Sequence, residues 1–273
     1  MVASPIRQPK SRVIILTGPN IWHKNTVATF LNSEVNVVGI CYCNQNTGDL
    51  PLNYIWHSVR IRGLSKTLGQ ILGRVCYKLF NRKMDQKKLR KIFVESEIYK
   101  AIEAWTGPVH HTTNYSNEET MEWLKSLTPD IFVVHTGYWV AKKVRNLPRL
   151  KAVIGGHPGI TPNYRGSHSA FWAIYNKEPK MVGCSVFWLD KGVDTGDLVI
   201  QESITPEPDD SYFSLGWRGM KRIAELQVRT IEEFDQGVEI PRIPHEKIPK
   251  GSEYPIPTLV EYVRYRSIQK QVR

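Results

Sequence analysis

Two side chains in this sequence combine a reactive type with a setting suited to proton transfer. His157 ends the run Val153-Ile154-Gly155-Gly156-His157, and Asp194 sits in the turn-like stretch Val193-Asp194-Thr195-Gly196-Asp197. Imidazole is the one side chain whose ordinary titration lies near neutrality. A carboxylate beside it fixes the ring, and such a pair can take a proton from an attacking nucleophile or, as imidazolium, donate one to a developing oxyanion. On spacing alone, a buried structural histidine held by an aspartate is an equally good reading. The residues between them bear on the choice. Gly155 and Gly156 would let a ligand approach the backbone closely or let the chain take up positive φ. Pro158 and Pro162 then bracket a loop that carries Tyr164, Arg165 and Gly166, and His168 opens a helix.

Together these residues resemble the formyltransferase family, which includes glycinamide ribonucleotide transformylase, methionyl-tRNA formyltransferase and the nucleotide-sugar N-formyltransferases. The family pattern is Asn-x-His at a strand end, a His-Pro-x-x-x-Pro-x-x-x-Gly loop, and a Leu/Val-Asp-x-Gly motif. His157, Pro158, Pro162, Gly166 and Val193-Asp194-Thr195-Gly196 match it, whereas the asparagine position is Gly155. The resemblance covers about the first 205 residues. It implies an enzyme with 10-formyltetrahydrofolate as cosubstrate and His157 and Asp194 as catalytic residues. Gly137, Tyr138, Trp139, Val140 and Val193 would line the folate pocket, although Tyr138 and Trp139 read equally well as core aromatics. Gly155, Gly156, Pro162, Tyr164, Arg165, Gly166 and His168 would lie at the substrate. A backbone N–H, His168 or Asn163 would stand in for the missing carboxamide, or the enzyme would be slow. The expected acceptor is a primary amine, that of a nucleotide-linked amino sugar destined for a surface polysaccharide. A purine or hydroxamate precursor, or a binding protein that lost catalysis through Gly155, remain the alternatives.

Positioning such a pair calls for a sizeable fold, and 273 residues with 41% hydrophobic content suffice for one large domain with a small appendage. Arg12–Gly18 and Val35–Cys41 read as buried strands around a helix, the layout of a parallel, doubly wound sheet. Gly18-Pro19-Asn20 is too weak a phosphate-loop candidate to carry a dinucleotide role. A polar turn is expected over Asn44–Asn53 and helical pattern over Lys87–Trp105. A capping box at Ser116 and Glu119 predicts a helix to about Leu127, followed by the strand Ile131–Gly137. His168–Tyr175 reads as a helix, with strands at Val182–Trp188 and Leu198–Ser203. We therefore expect an α/β fold with a mostly parallel sheet, residues 1–205 forming the catalytic domain and 206–273 a short helical extension. That extension has one long helix over Asp210–Gln236, a proline-rich arm over Ile240–Pro257 and a last basic helix, unlike the β-barrel that methionyl-tRNA formyltransferases carry at this point.

The charge is concentrated. Of a formal net +11, residues 60–91 hold eleven Lys and Arg against Asp85 alone, which leaves 26 basic against 25 acidic residues elsewhere. That balance argues against a broad nucleic-acid surface. Apolar residues at 64, 68, 71, 72, 75 and 79 give the segment a helical period. It reads as a helix packed on the sheet, a basic lip for a phosphorylated substrate, or a weak membrane-surface contact. Cys41, Cys43, Cys76 and Cys184 have no metal-ligand spacing, and His110 and His111 would point to opposite faces of a strand, so no metal site is expected. Reduced cysteines and the lack of a signal-like or spanning segment suggest a cytoplasmic protein. A homodimer is left open.

Overall fold

A computed structural model describes residues 10–44, 52–80 and 82–272. Residues 1–9 and most of the polar turn expected over Asn44–Asn53, 45–51, lie outside the described residues. The chain runs β1 (Val13–Thr17), α1 (Ile21–Leu31), β2 (Val37–Cys43), α2 (Leu52–Arg62), α3 (Leu64–Phe80), α4 (Arg82–Ile92), α5 (Glu95–Glu103) and β3 (Val109–Thr112). Then follow α6 (Glu118–Ser126), β4 (Ile131–His135), α7 (Lys142–Arg145), β5 (Ala152–His157), β6 (Arg165–Gly166), α8 (Ser169–Tyr175), β7 (Gly183–Trp188), β8 (Leu198–Ser203), α9 (Tyr212–Asp235), β9 (Glu253–Tyr254) and α10 (Leu259–Val272).

A seven-stranded sheet in the order β3-β2-β1-β4-β5-β7-β8 forms the frame. Its first five strands are parallel, and β7 and β8 add antiparallel. The continuous apolar runs of β1 and β4 follow from burial on both faces, since every residue of each is buried. On one face α1 supplies Val27 and Phe30, and α9 supplies Ile223, Leu226 and Ile231. On the other, α6 brings Met121 and Leu124 and α7 brings Val144. The helix expected over Asp210–Gln236 is therefore part of the layer that covers the sheet, and a division at 205 would cut through this core. Helix α6 starts one residue later than its capping box implied: Asn114 Oδ1 takes the Ser116 N–H at 2.8 Å, and Asn117 Oδ1 caps the helix by accepting from the Thr120 N–H at 2.8 Å.

Two features go beyond the sequence reading. Between β2 and β3 the described residues build four helices, α2 to α5, where a parallel crossover needs one; helical pattern was expected over 64–79 and 87–105, and the second stretch is broken between α4 and α5. Within them, the apolar stripe of α3 does not pack on the sheet. The helix meets α10 through its small and polar side, where Gly69 lies against Thr258, Gly73 against Tyr262, and Gln70 Nε2 donates to the Ile256 carbonyl at 2.7 Å. The second feature is the arm after α9. It returns to pair β9 in parallel with β6, joining Arg165 to Glu253 and Gly166 to Tyr254.

Candidate functional site

Ligands of open parallel sheets lie beyond the carboxyl ends of the strands, near the point where strand order reverses. Here that point is the β1–β4 pair, and beyond β4 and β5 lies a cavity of about 470 Å³. His157 ends β5 and faces it, and Asp194 enters from the loop between β7 and β8. A larger cavity of about 610 Å³ between α3, α4, α9 and α10 is lined by tyrosines, aliphatics and a few charged groups, with no histidine. The acid–base pair singles out the former.

The pair is closely held. His157 Nδ1 lies 3.2 Å from Asp194 Oδ2, and the Gly166 N–H donates to the same oxygen at 3.1 Å. Asp194 itself adopts a left-handed φ of 52°, a conformation that aspartate tolerates better than most side chains. Its loop is stapled from both sides. Asp190 accepts from the Gly192 N–H at 2.8 Å and from Thr195 Oγ1 at 2.8 and 2.9 Å, and Arg165 Nη1 donates to the Val193 carbonyl at 2.8 Å. Gly166 has φ +80°, and a Cβ there would come within 2.8 Å of the Tyr254 carbonyl, so only glycine fits this crossing of β6 and β9.

On its other side, His157 Nε2 lies 2.7 Å from Ser169 Oγ and 3.1 Å from the Tyr164 carbonyl. With Nδ1–H donating to Asp194, the Ser169 hydroxyl donates to Nε2. In the imidazolium, Nε2–H donates to the same two oxygens once the hydroxyl rotates. Both ring nitrogens are thus engaged by protein atoms, which revises the role read from sequence. Direct donation from His157 to a substrate oxyanion would require exchange of one of these partners. Its side chain is 7% exposed against 19% for Asp194, and both contacts of that carboxylate fall on Oδ2, leaving Oδ1 for a substrate group. As placed, the ring acts on the carboxylate and the carboxylate faces the cavity.

Of the residues singled out in the sequence, Gly137, Tyr138, Trp139, Val140, Gly156, His157, Gly166, Val193 and Asp194 come together around the cavity. Gly155, Pro162, Tyr164, Arg165 and His168 do not line it. Tyr164 is buried, with its hydroxyl on Glu178 and its ring stacked on Tyr254 at 5.3 Å. Burial and that carboxylate push its phenol far above the usual range. Arg165 is a buried clamp between the Val193 carbonyl and Ser252 Oγ, 3.1 Å from Nε. Pro162 follows a cis peptide in the turn tied to β7 through Thr161 and Ser185. His168 packs edge-on against Phe213, and burial, with Arg74 adding to it, pulls its pKa down to about 4. Asn163 is exposed on the same loop and, like His168, is outside the cavity, so neither replaces the missing carboxamide there.

The paired glycines also have a structural cause. Neither adopts positive φ. A Cβ on Gly156 would come within 2.2 Å of Ile223 Cγ2, so its absence admits α9, and one on Gly155 would meet the Phe187 ring at 3.0 Å. Phe187 pairs with Gly155 across β5 and β7 and lines the cavity. An aromatic ring occupies the space beside the position where the family pattern has asparagine.

Several cavity residues escaped the sequence reading: His135, Thr136, Ser167, Phe187, Leu189, Asp190 and Met220, with Ser169 behind His157. A histidine closing the otherwise apolar run Ile131–Val134 was a usable signal. His135 bonds to Thr26 through Nδ1 and lies 3.1 Å from Met220 Sδ through Nε2. Burial, with His23 beside it, brings its pKa down to about 3, and burial brings that of His23 to about 4. Burial thus favours the neutral form of both, His135 on the cavity lining and His23 edge-on behind it at 5.9 Å. Among the described residues no group of three His, Cys, Asp or Glu side chains is arranged to hold a metal ion.

The cavity suits a flat heterocycle with a polar edge. Tyr138, Trp139, Val140, Phe187, Leu189 and Val193 give it aromatic and aliphatic walls, and the irregular backbone at 136–140 and 189–194 offers amide groups to a ring's donors and acceptors. Those features fit a pterin-bearing cosubstrate beside Asp194.

Comparison with known proteins agrees with this geometry. A family model described as formyl transferase matches residues 80–231. Methionyl-tRNA formyltransferase of Pelotomaculum thermopropionicum is 29% identical over 181 residues, 64% of this chain and 56% of the relative. The chain spans about half the length of the curated relatives it matches. Among solved structures, phosphoribosylglycinamide formyltransferase of Anaplasma phagocytophilum superposes with TM-score 0.55 at 13% identity, over 84% of this chain and 89% of that one. A sugar N-formyltransferase of a Shewanella species does so with TM-score 0.53 at 14% identity, over 94% and 87%. At these identities the two structures speak to the fold.

Proposed function

We propose that this chain, which belongs to the formyl transferase family, moves a formyl group from 10-formyltetrahydrofolate to a primary amine, that of a nucleotide-linked amino sugar. The observation that carries the reading is the His157–Asp194 pair, 3.2 Å apart at the mouth of a cavity that the family's folate-pocket positions also line. The neutral amine attacks the formyl carbon and a tetrahedral oxyanion forms. Asp194 takes the proton that the amine nitrogen sheds, the carbon–N10 bond breaks, and the proton passes to N10 as tetrahydrofolate leaves. His157 holds Asp194 in place, and Ser169 and the Tyr164 carbonyl keep its far nitrogen partnered whether the ring is neutral or protonated. The hydroxyl of Ser167 and nearby backbone amides are the groups available to the oxyanion in place of a carboxamide.

The substrate class rests on the charge. Helix α9 lies in the core and β9 pairs with the site's own loop, so these parts of residues 206–272 belong to the catalytic fold. Outside residues 60–91 the charge is balanced. A second reading, methionyl-tRNA as the amine carrier, draws on the names of the sequence relatives and on the cationic segment 60–91. Incubation with 10-formyltetrahydrofolate and a panel of amino-sugar nucleotides, purine-precursor amines and aminoacyl-tRNA separates them. Tetrahydrofolate release with an amino-sugar nucleotide is expected, and release with aminoacyl-tRNA alone would replace this reading.

A further inference from the structure

Helix α3 is mounted with its apolar stripe outward. Leu64, Leu68, Leu72, Val75 and Leu79 recur along one side of the helix and are 47% to 72% exposed. Such a stripe ordinarily faces a core, but the opposite side makes the packing contacts, through Thr67, Gln70 and Gly73. The helices packed beside α3 add exposed apolar groups of their own, Trp56 on α2 and Val263 on α10. A row of this extent on a soluble surface marks a contact site.

The charge around it selects the partner. Residues 60–91 carry eleven Lys and Arg against one acid. That acid, Asp85, is buried and hydrogen-bonded by Tyr77 at 2.5 Å and Ser211 at 2.6 Å, so it offsets nothing at the surface. Arg60, Arg62, Lys66, Lys83 and Lys87 are exposed. We infer that this face docks the protein on an anionic lipid surface, the leucines entering the acyl boundary and the lysines and arginines meeting the headgroups. A second copy fits less well, because a two-fold contact would set the same cationic segment against itself. No helix among the described residues is long and apolar enough to cross a membrane, so the helix would lie in the interface plane.

The test uses the full chain and vesicles, and it is independent of formyl transfer. Co-sedimentation with vesicles of phosphatidylcholine containing phosphatidylglycerol is compared with phosphatidylcholine alone, at low and high salt. We expect partitioning at least about tenfold stronger with the anionic lipid, weakened by salt. Leu68→Ser/Leu72→Ser and Lys83→Glu/Lys87→Glu should each reduce it by about tenfold or more, with circular dichroism and melting confirming that both variants fold. Tryptophan emission should shift blue on vesicle addition in the wild type and shift less in Trp56→Phe. Absence of partitioning, or equal partitioning to neutral vesicles, overturns the inference. So does a dimer in solution that Leu68→Ser/Leu72→Ser dissolves while vesicle binding is nil.

Discussion

Gly155 and Phe187 face each other across the β5–β7 pair, and this contact fixes what can be asked of the family's missing asparagine. A Cβ at Gly155 would meet the Phe187 ring at 3.0 Å and Leu189 Cδ1 at 3.2 Å. Gly155→Asn should therefore overpack the pair, cost about 1–3 kcal/mol of stability and lower kcat. If Phe187→Ala is introduced as well, the carboxamide gains room beside His157, and the double variant should turn over faster than Phe187→Ala alone. Urea midpoints and kcat on the three variants check this, and a higher kcat for Gly155→Asn by itself would contradict it. At this scale the pairing of His157 with Asp194 was legible in the sequence, which misled where a polar residue is consumed by the scaffold. Arg165, Tyr164 and His168 look like substrate ligands in one dimension. Only the third dimension shows their groups spent on Val193 and Ser252, on Glu178, and against Phe213.

Between elements, the decisive link is the strap from the arm after α9 to the loop that carries Asp194. The chain in β9 pairs with β6, and Arg165 ties Ser252 to Val193 through one guanidinium. Truncation by Arg165→Ala would strand a buried carbonyl and release the loop, with an expected loss of roughly 2–4 kcal/mol in stability and a fall in kcat of about tenfold or more. Arg165→Lys should not rescue it, since one ammonium cannot reproduce the two-sided fork. Retained kcat in Arg165→Ala would mean that the strap does not position Asp194. Strands β1, β4 and β5 were readable from their apolar runs, but this link was not, because a two-residue pairing between segments so far apart in the chain leaves no periodic trace. The outward mounting of α3 was equally hidden: amphipathic spacing reveals that a helix has two faces and is silent on which one the fold buries.

For the molecule as a whole, acid should be more damaging than the ordinary composition suggests. His23 and His135 beneath the cavity and His168 at the start of α8 are held neutral by burial, with pKa values lowered to about 4, 3 and 4. Below about 6.5 the unfolded chain binds protons at these sites and the folded chain does not, so their stabilising contribution is present above that pH and is lost as pH falls toward the folded values. Each is worth on the order of 2–3 kcal/mol by about pH 4.5. Urea midpoints measured from about pH 7 to pH 4.5 should fall steeply, and His168→Gln, outside the cavity, should flatten the fall. A flat profile in the wild type would show that these histidines are protonated in place.

In the proposed reaction Asp194, steered by His157, accepts the amine proton during formyl transfer. The direct measurement is single-turnover formyl transfer by the wild type and Asp194→Asn, paired with folate binding by calorimetry. The expected result is a rate loss of at least about 100-fold with folate affinity nearly unchanged, because the carboxamide keeps the shape and loses the base. Transfer within about tenfold of wild type by Asp194→Asn would contradict it.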